Sequence, residues 1–227
     1  MNGAARGSSG ADVRGNPFTA ARLRPGIIPY LFPPGEDLSS LIARLVANRG
    51  RGEIVGPHGS GKSTLLAMLA AELSARGQCI VLIELRDGQR RLPRDWQPAP
   101  DQTPRARNNS STEDLPNSGA IEPPLPATLI FVDGYEQLGW WARWQLRRRC
   151  RQAGWGLVVT SHAPAGWPTL ATTRVDLATA QAVVNRLTAG TSGQPSAAEV
   201  ADAFARCGGN LREMLFDLYD RYEAQRR

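Results

Sequence analysis

Lysine is almost missing from this chain of 227 residues. Of its 27 Lys and Arg side chains, only Lys62 is a lysine and the other 26 are arginines. Whatever bias replaced lysine elsewhere stopped at one position, which marks Lys62 as a place that needs a compact ammonium rather than a planar guanidinium. Cysteine is also scarce. Cys79, Cys150 and Cys207 are odd in number, far apart and form no C-x-x-C pair, which argues against a disulfide framework or a zinc site and for a reducing cytoplasm. No apolar run approaches the roughly 20 residues of a membrane span. The N-terminal stretch lacks the apolar segment of a signal peptide. A soluble, intracellular chain with no membrane partner is the expectation. Only two histidines occur, His58 and His162, and no internal repeat is visible.

What is present suffices for a packed core. The apolar fraction is 41%, and the length suits one domain or a core with a small appendage. A net charge of +6 permits nucleic acid, acidic protein or anionic membrane as partner. An arginine-rich composition gives the same figure without any of them.

The lone lysine lies in Gly56-Pro57-His58-Gly59-Ser60-Gly61-Lys62-Ser63, followed by Thr64, which fits G-x-x-x-x-G-K-[ST], the phosphate-binding P-loop. Its glycines let backbone N–H groups turn into one concavity. The helix that begins within the motif presents free N–H groups and its positive dipole end to the same phosphates. Lys62 is expected to reach the β- and γ-phosphates and Ser63 to ligate Mg²⁺. The context agrees, because Glu53-Ile54-Val55 reads as a strand entering the loop and Leu65, Leu66, Met68, Leu69 and Leu73 recur at helical spacing after it.

Around this centre the chain reads as alternating strands and helices, hence an α/β fold with a parallel sheet covered on both faces. Residues 1–16 form a Gly/Ser/Arg-rich tail expected to be disordered. Residues 17–176 form the P-loop core. The proline-broken stretch Arg24–Gly35 cannot be a regular helix or central strand. Its Tyr30 and Phe32 either face an adenine base or cap the core edge. Asp37 is placed to cap a helix running to about Asn48. Cys79–Leu85, Thr128–Asp133 and Gly156–Thr160 read as buried strands, with a weaker one at Thr169–Val175. Between the first two, residues 87–126 are rich in Pro, Arg, Asn, Ser and Asp, a polar insertion expected to be disordered or a partner-binding arm. Residues 177–227 read as all helix, with a capping box at Ser196-Ala197-Ala198-Glu199 and a stop at Cys207-Gly208-Gly209.

Four further positions carry chemistry. Asp133, ending an apolar strand, is placed to hold Mg²⁺ as a Walker-B acid does. Gly134 follows it where many such ATPases have a water-orienting glutamate. The nearest acid is Glu136, which either orients the attacking water or caps the next helix. His162, at the end of Thr160-Ser161-His162, can touch the γ-phosphate or the nucleophilic water, or it is a loop histidine facing solvent. The helix containing Trp140, Trp141, Trp144 and Arg147-Arg148-Arg149 is expected to bury Trp140 and Trp144 against the sheet. Its arginines are a solvated basic end, a patch for nucleic acid or an acidic partner, or a finger serving the ATP of a neighbouring copy in a homo-oligomer.

Together these residues resemble the AAA+ ATPases and their relatives in the additional-strand P-loop NTPase superfamily. Gly56–Thr64 matches Walker A and Leu129–Asp133 Walker B. Asp133-Gly134-Tyr135-Glu136 is similar to the D-G-x-[DE] variant of signal-transduction (STAND) ATPases. Thr160–His162 resembles a sensor-1 position, and Gly209-Asn210-Leu211-Arg212 a sensor-2 motif in a helical lid. The resemblance implies ATP and Mg²⁺ as ligands, hydrolysis as the activity, residues 177–227 as the lid and Arg212 on the γ-phosphate. No N-K-x-D motif is present, which disfavours GTP, and no L-S-G-G-Q signature, which sets ABC ATPases aside. A small-molecule kinase, or a nucleotide-gated switch recruiting a partner through residues 87–126 or the basic helix, remains open beside the ATPase.

Overall fold

Leu129 and Phe131 pack with one hydrophobic cluster and Ile130 and Val132 with another, as the period-2 alternation of a strand buried on both faces requires. The computed structural model describes residues 16–19, 22–23, 27–98, 125–191 and 194–225. Helix α1 (Leu38–Ala47) precedes β1 (Arg51–Val55), α2 (Lys62–Ala75) and β2 (Cys79–Glu84). Then come β3 (Thr128–Asp133), a 3-10 turn (Tyr135–Gln137), α3 (Trp140–Ala153), β4 (Gly156–Ser161) and β5 (Thr169–Thr172). The five strands form one parallel sheet in the order β2-β3-β4-β1-β5. The fold is α/β, with helices covering both faces.

One face carries α1 and α2, whose Leu41, Leu45, Leu65 and Leu69 are fully buried against Ile54, Phe131, Val158 and Leu170. The other carries α3 through Ala142, Leu146 and Cys150. Asp37 caps α1 as its sequence suggests, its side chain accepting from Ser40 N at 2.7 Å. β3 and β4 are buried along nearly their whole length, which is why they read as unbroken apolar runs.

Two expectations are corrected here. Trp140, Trp141 and Trp144 are 77%, 53% and 41% exposed, not buried on the sheet. The buried stripe is Ala142, Leu146 and Cys150, and at about 100° per residue Trp140 and Trp144 lie some 200° from it, on the opposite side of the helix. The polar character of residues 87–126 likewise does not extend to the packing of their first dozen. Trp96 is buried beside Ile83 and Val132, edge-on to Trp155 at 6.2 Å, and Gly139 N donates to Arg90 O. Residues 99–124 lie outside the described residues, as do residues 1–15 of the expected tail.

Of the described residues, 16–19 and 22–23 form a second unit with 176–191 and 194–225. Its helices are α4 (Leu177–Thr188), α5 (Ala197–Arg206) and α6 (Leu211–Gln225). Asp176 caps α4, and the Ser196–Glu199 box caps α5. Phe18, expected in the core, belongs to this unit instead, and so does Asn16, expected to end the tail. Asn16 Nδ2 donates to Tyr219 O at 3.2 Å and Glu223 Oε1 at 2.8 Å, and the buried Phe18 ring meets Tyr222 edge-on. Among the described residues no helix is long and apolar enough to cross a membrane.

Candidate functional site

Because the sheet is parallel, β1, β3 and β4 all end on the same edge, and the loops that leave them converge there. From β1 the chain enters a glycine loop at Gly56. A Cβ on Gly56 would stand 2.2 Å from Thr173 Oγ1 and 2.5 Å from Thr173 O, so backbone and side chain of the segment after β5 leave room for glycine alone. Ser60 Oγ donates to Pro57 O at 2.8 Å and shares a 2.6 Å hydrogen bond with Thr173 Oγ1. Pro57 and His58 are exposed, and Gly59, Gly61, Ser63 and Thr64 are half-buried. Helix α2 starts at Lys62 with Gly61 as its N-cap and no capping side chain. Its first N–H groups are therefore available to an anion, on the positive end of the helix dipole.

Lys62 is buried, and its Nζ donates to Gly56 O (2.6 Å) and Pro57 O (2.7 Å) and lies 3.1 Å from His162 Nδ1. Burial holds its pKa below the ordinary lysine value, while the Glu136 and Asp133 carboxylates pull it back up. An ammonium can only donate, so His162 Nδ1 accepts from it and Nε2 carries the ring proton toward Glu136 Oε1 at 2.8 Å. Gly56 O also lies 3.3 Å from Nδ1, but an Nδ1 that accepts from the lysine has no proton to give that carbonyl. The His58 ring lies against His162 with centroids 3.6 Å apart.

Asp133 is held by the neighbouring strand. Thr160 Oγ1 donates to Asp133 Oδ1 at 2.6 Å and accepts the Gly134 N–H at 2.8 Å. Gly134 has φ +80°, a left-handed conformation in which a side chain is strained. The position after Asp133 therefore has no glutamate for a backbone reason, and the chain turns to bring Glu136 in from the 3-10 turn. Glu136 Oε2 is buried with no hydrogen-bond partner. Arg143, one turn into α3, donates to Glu136 O at 2.8 Å and stacks over Tyr135 at 5.1 Å.

Gly56–Thr64, Asp133, Glu136 and His162 thus meet at one edge of the sheet. Arg212 is part of the other unit, exposed on α6 with its guanidinium 5.8 Å over Phe216. Arg147 is tied down within the fold, donating to the Tyr135 hydroxyl at 2.9 Å and Ala165 O at 3.0 Å. Tyr30 and Phe32 pack on the core edge, edge-to-face at 5.1 Å. A Cβ on Gly61 would come within 3.2 Å of the Tyr30 ring, so Tyr30 also abuts the glycine loop. Thr173, which lies 113 residues from the Ser60 it bonds, carries no local signal in the sequence. The Thr160–Asp133 link likewise becomes visible only once β3 and β4 are neighbours.

The arrangement offers one ammonium and an uncapped helix start to an anion, and two carboxylates to a cation or a proton. Compared with family models and with curated proteins, the sequence matches none of them, and the chemistry of this edge is what points to a function.

Proposed function

We propose that the chain binds ATP with Mg²⁺ at Gly56–Thr64 and hydrolyses it to ADP and phosphate, as the resembling AAA+ and STAND ATPases do. The observation that carries this reading is the meeting of Lys62, Asp133, His162 and Glu136 at one sheet edge with Glu136 Oε2 buried and unpartnered. Strand β4 separates the loop-bearing β1 from the Asp133-bearing β3, in keeping with the extra strand from which the additional-strand superfamily takes its name.

Lys62 exchanges its two loop carbonyls for phosphate oxygens, which restores a full set of charge-assisted partners to a buried ammonium. The α2 N–H groups take the remaining phosphate oxygens. Ser63 and Asp133 are the residues that would hold Mg²⁺, which supplies charge neutralisation on the phosphates. Among the described residues no cluster of three or more His, Cys, Asp or Glu forms a metal cage. Mg²⁺ needs none, since one or two protein oxygens plus phosphates and water suffice. Glu136 draws a proton from the attacking water through its free Oε2, while His162 holds Oε1 in place.

A second reading is favoured by Gly134. With no acid directly after Asp133, and with Glu136 already paired to His162, the protein is a nucleotide-gated switch with little turnover.

Calorimetric titration of ATP–Mg²⁺ into wild type and Lys62→Ala tests the shared premise. Severe loss of affinity in the variant is expected, because no second lysine can supply the charge. Equal affinity in the two proteins would sink both readings.

A further inference from the structure

Helix α3 carries a surface that the nucleotide site leaves unused. Trp141, Trp144 and Arg148 stand at i, i+3 and i+7 and form a file of flat groups along one side of the helix. The Trp141 and Trp144 rings are stacked, centroids 4.9 Å apart and 20° from parallel. The Arg148 guanidinium continues the file 5.4 Å from the Trp144 ring. Trp140 meets Trp141 edge-on at 5.4 Å. All of these side chains are exposed, as are Gln145, Arg149, Arg151 and Gln152. Among the described residues neither Arg149 nor Arg151 has an ion-pair partner, and α3 contains no acidic residue.

Three tryptophans in water on one helix are costly, since each ring leaves a large apolar area exposed. The chemistry of their neighbours narrows what covers them. Ala153, at the end of the helix, is its one exposed aliphatic side chain. Tryptophan and arginine also favour protein interfaces, and what sets this face apart is a run of guanidiniums with no acidic residue among them. Stacked indoles flanked by unpaired guanidiniums suit a partner with flat π-faces and a regular run of negative charge. Arginine fits both halves of that requirement, stacking by its plane and bonding phosphate by its fork.

We propose that the exposed side of α3 binds a single-stranded polynucleotide. Its bases extend the file by stacking on the face of Trp141 turned away from Trp144, and its phosphates pair with the edge of Arg148 and with Arg149 and Arg151. Because every base has a π-face and every nucleotide a phosphate, binding is indifferent to base sequence and to the sugar. The helix is about 21 Å long, so only a short run of nucleotides is engaged. The proposal does not depend on the nucleotide reading, because it uses none of the side chains at the sheet edge.

The test is fluorescence anisotropy of a 5′-labelled dT20 oligonucleotide titrated with the full chain without ATP. Trp141→Ala combined with Trp144→Ala is expected to weaken binding about tenfold or more. Arg148→Glu combined with Arg149→Glu should lower the slope of log K against log salt by about 1.4, or 0.7 per lost phosphate contact. Both pairs are exposed, and unchanged circular dichroism and melting temperature will show that the variants fold. An rU20 probe should bind as dT20 does. The proposal is overturned by any of four results: no binding at low salt, binding unaffected by the tryptophan pair, competition by heparin or polyglutamate as effective as by dT20, or tighter binding of duplex than of single strand. Sedimentation equilibrium covers the remaining occupant, a second copy of the chain. Wild-type dimers that the tryptophan pair dissociates, in a protein that binds no dT20, would also overturn it.

Discussion

Glu136 Oε1 and His162 Nε2 are 2.8 Å apart, and through His162 Nδ1 the same imidazole reaches Lys62 at 3.1 Å. A residue of the turn after β3 is thereby joined to the helix after β1 through the end of β4. The imidazole has one donor for the carboxylate and one acceptor for the ammonium, so both ends are satisfied. It leaves Glu136 Oε2 as the free atom of the group.

If that oxygen takes the proton of the attacking water, Glu136→Gln keeps ATP affinity and cuts turnover by about 10²-fold or more. The amide keeps the side chain's size but accepts no proton, and Lys62, Ser63 and Asp133 are unchanged. Steady-state hydrolysis beside calorimetric binding checks this. Turnover equal to wild type would remove Glu136 from the chemistry and leave the switch as the better reading.

Thr160→Val tests the strand-to-strand link. The methyl keeps the shape but removes the hydroxyl that serves both Asp133 Oδ1 and Gly134 N–H. An unsatisfied buried N–H costs about 1–3 kcal/mol, and since Gly134 is only partly buried urea unfolding should show a loss at the lower end of that range. Asp133, no longer oriented, should require more Mg²⁺ to support ATP binding. An unchanged urea midpoint and Mg²⁺ dependence would show that Asp133 holds its position without Thr160.

Trp96 separates the packed part of the 87–126 stretch from the rest. Trp96→Ala should destabilise by on the order of 3 kcal/mol through the cavity it leaves. Replacing residues 99–124 with a flexible Gly/Ser linker should leave both stability and nucleotide binding near wild type, since the entropy of closing a loop changes slowly with its length. Thermal melts of the two variants give the comparison, and the reverse ranking would contradict the packing of Trp96.

Cys150 offers a test by pH. Burial pushes its thiol from the usual 9.0 up to about 12, with Arg51 opposing only weakly. The thiolate is the nucleophile, so iodoacetamide at pH 8 should label Cys79 and Cys207 in the native protein well before Cys150. The folded form keeps its proton where the unfolded form has lost it. This contribution to stability is therefore full below pH 9 and declines as pH rises toward 12. Peptide mapping after a timed reaction reads the order of labelling, and early labelling of Cys150 would contradict its burial.

Much of this was legible in the chain itself. Gly56–Thr64, the strand before it and the apolar helix after it are contiguous, so local spacing alone defines them. Asp37 and the Ser196–Glu199 box declare their helices for the same reason, because a cap acts within four residues. The alternation of strands and helices sufficed for a parallel α/β sheet. The amphipathic split of α3 was harder to read, since bulky tryptophans suggest core, yet the smaller Ala142, Leu146 and Cys150 form the stripe that packs. Whether Asn16 and Phe18 join the sheet or the C-terminal helices was not encoded locally at all, and contacts with Tyr219, Glu223 and Tyr222 decided it. Strand order belonged wholly to the tertiary structure. With β4 between β1 and β3, Thr160 reaches Asp133 and His162 comes between Lys62 and Glu136, because pairing of parallel strands depends on long-range packing of their apolar faces and leaves no trace in neighbouring residues.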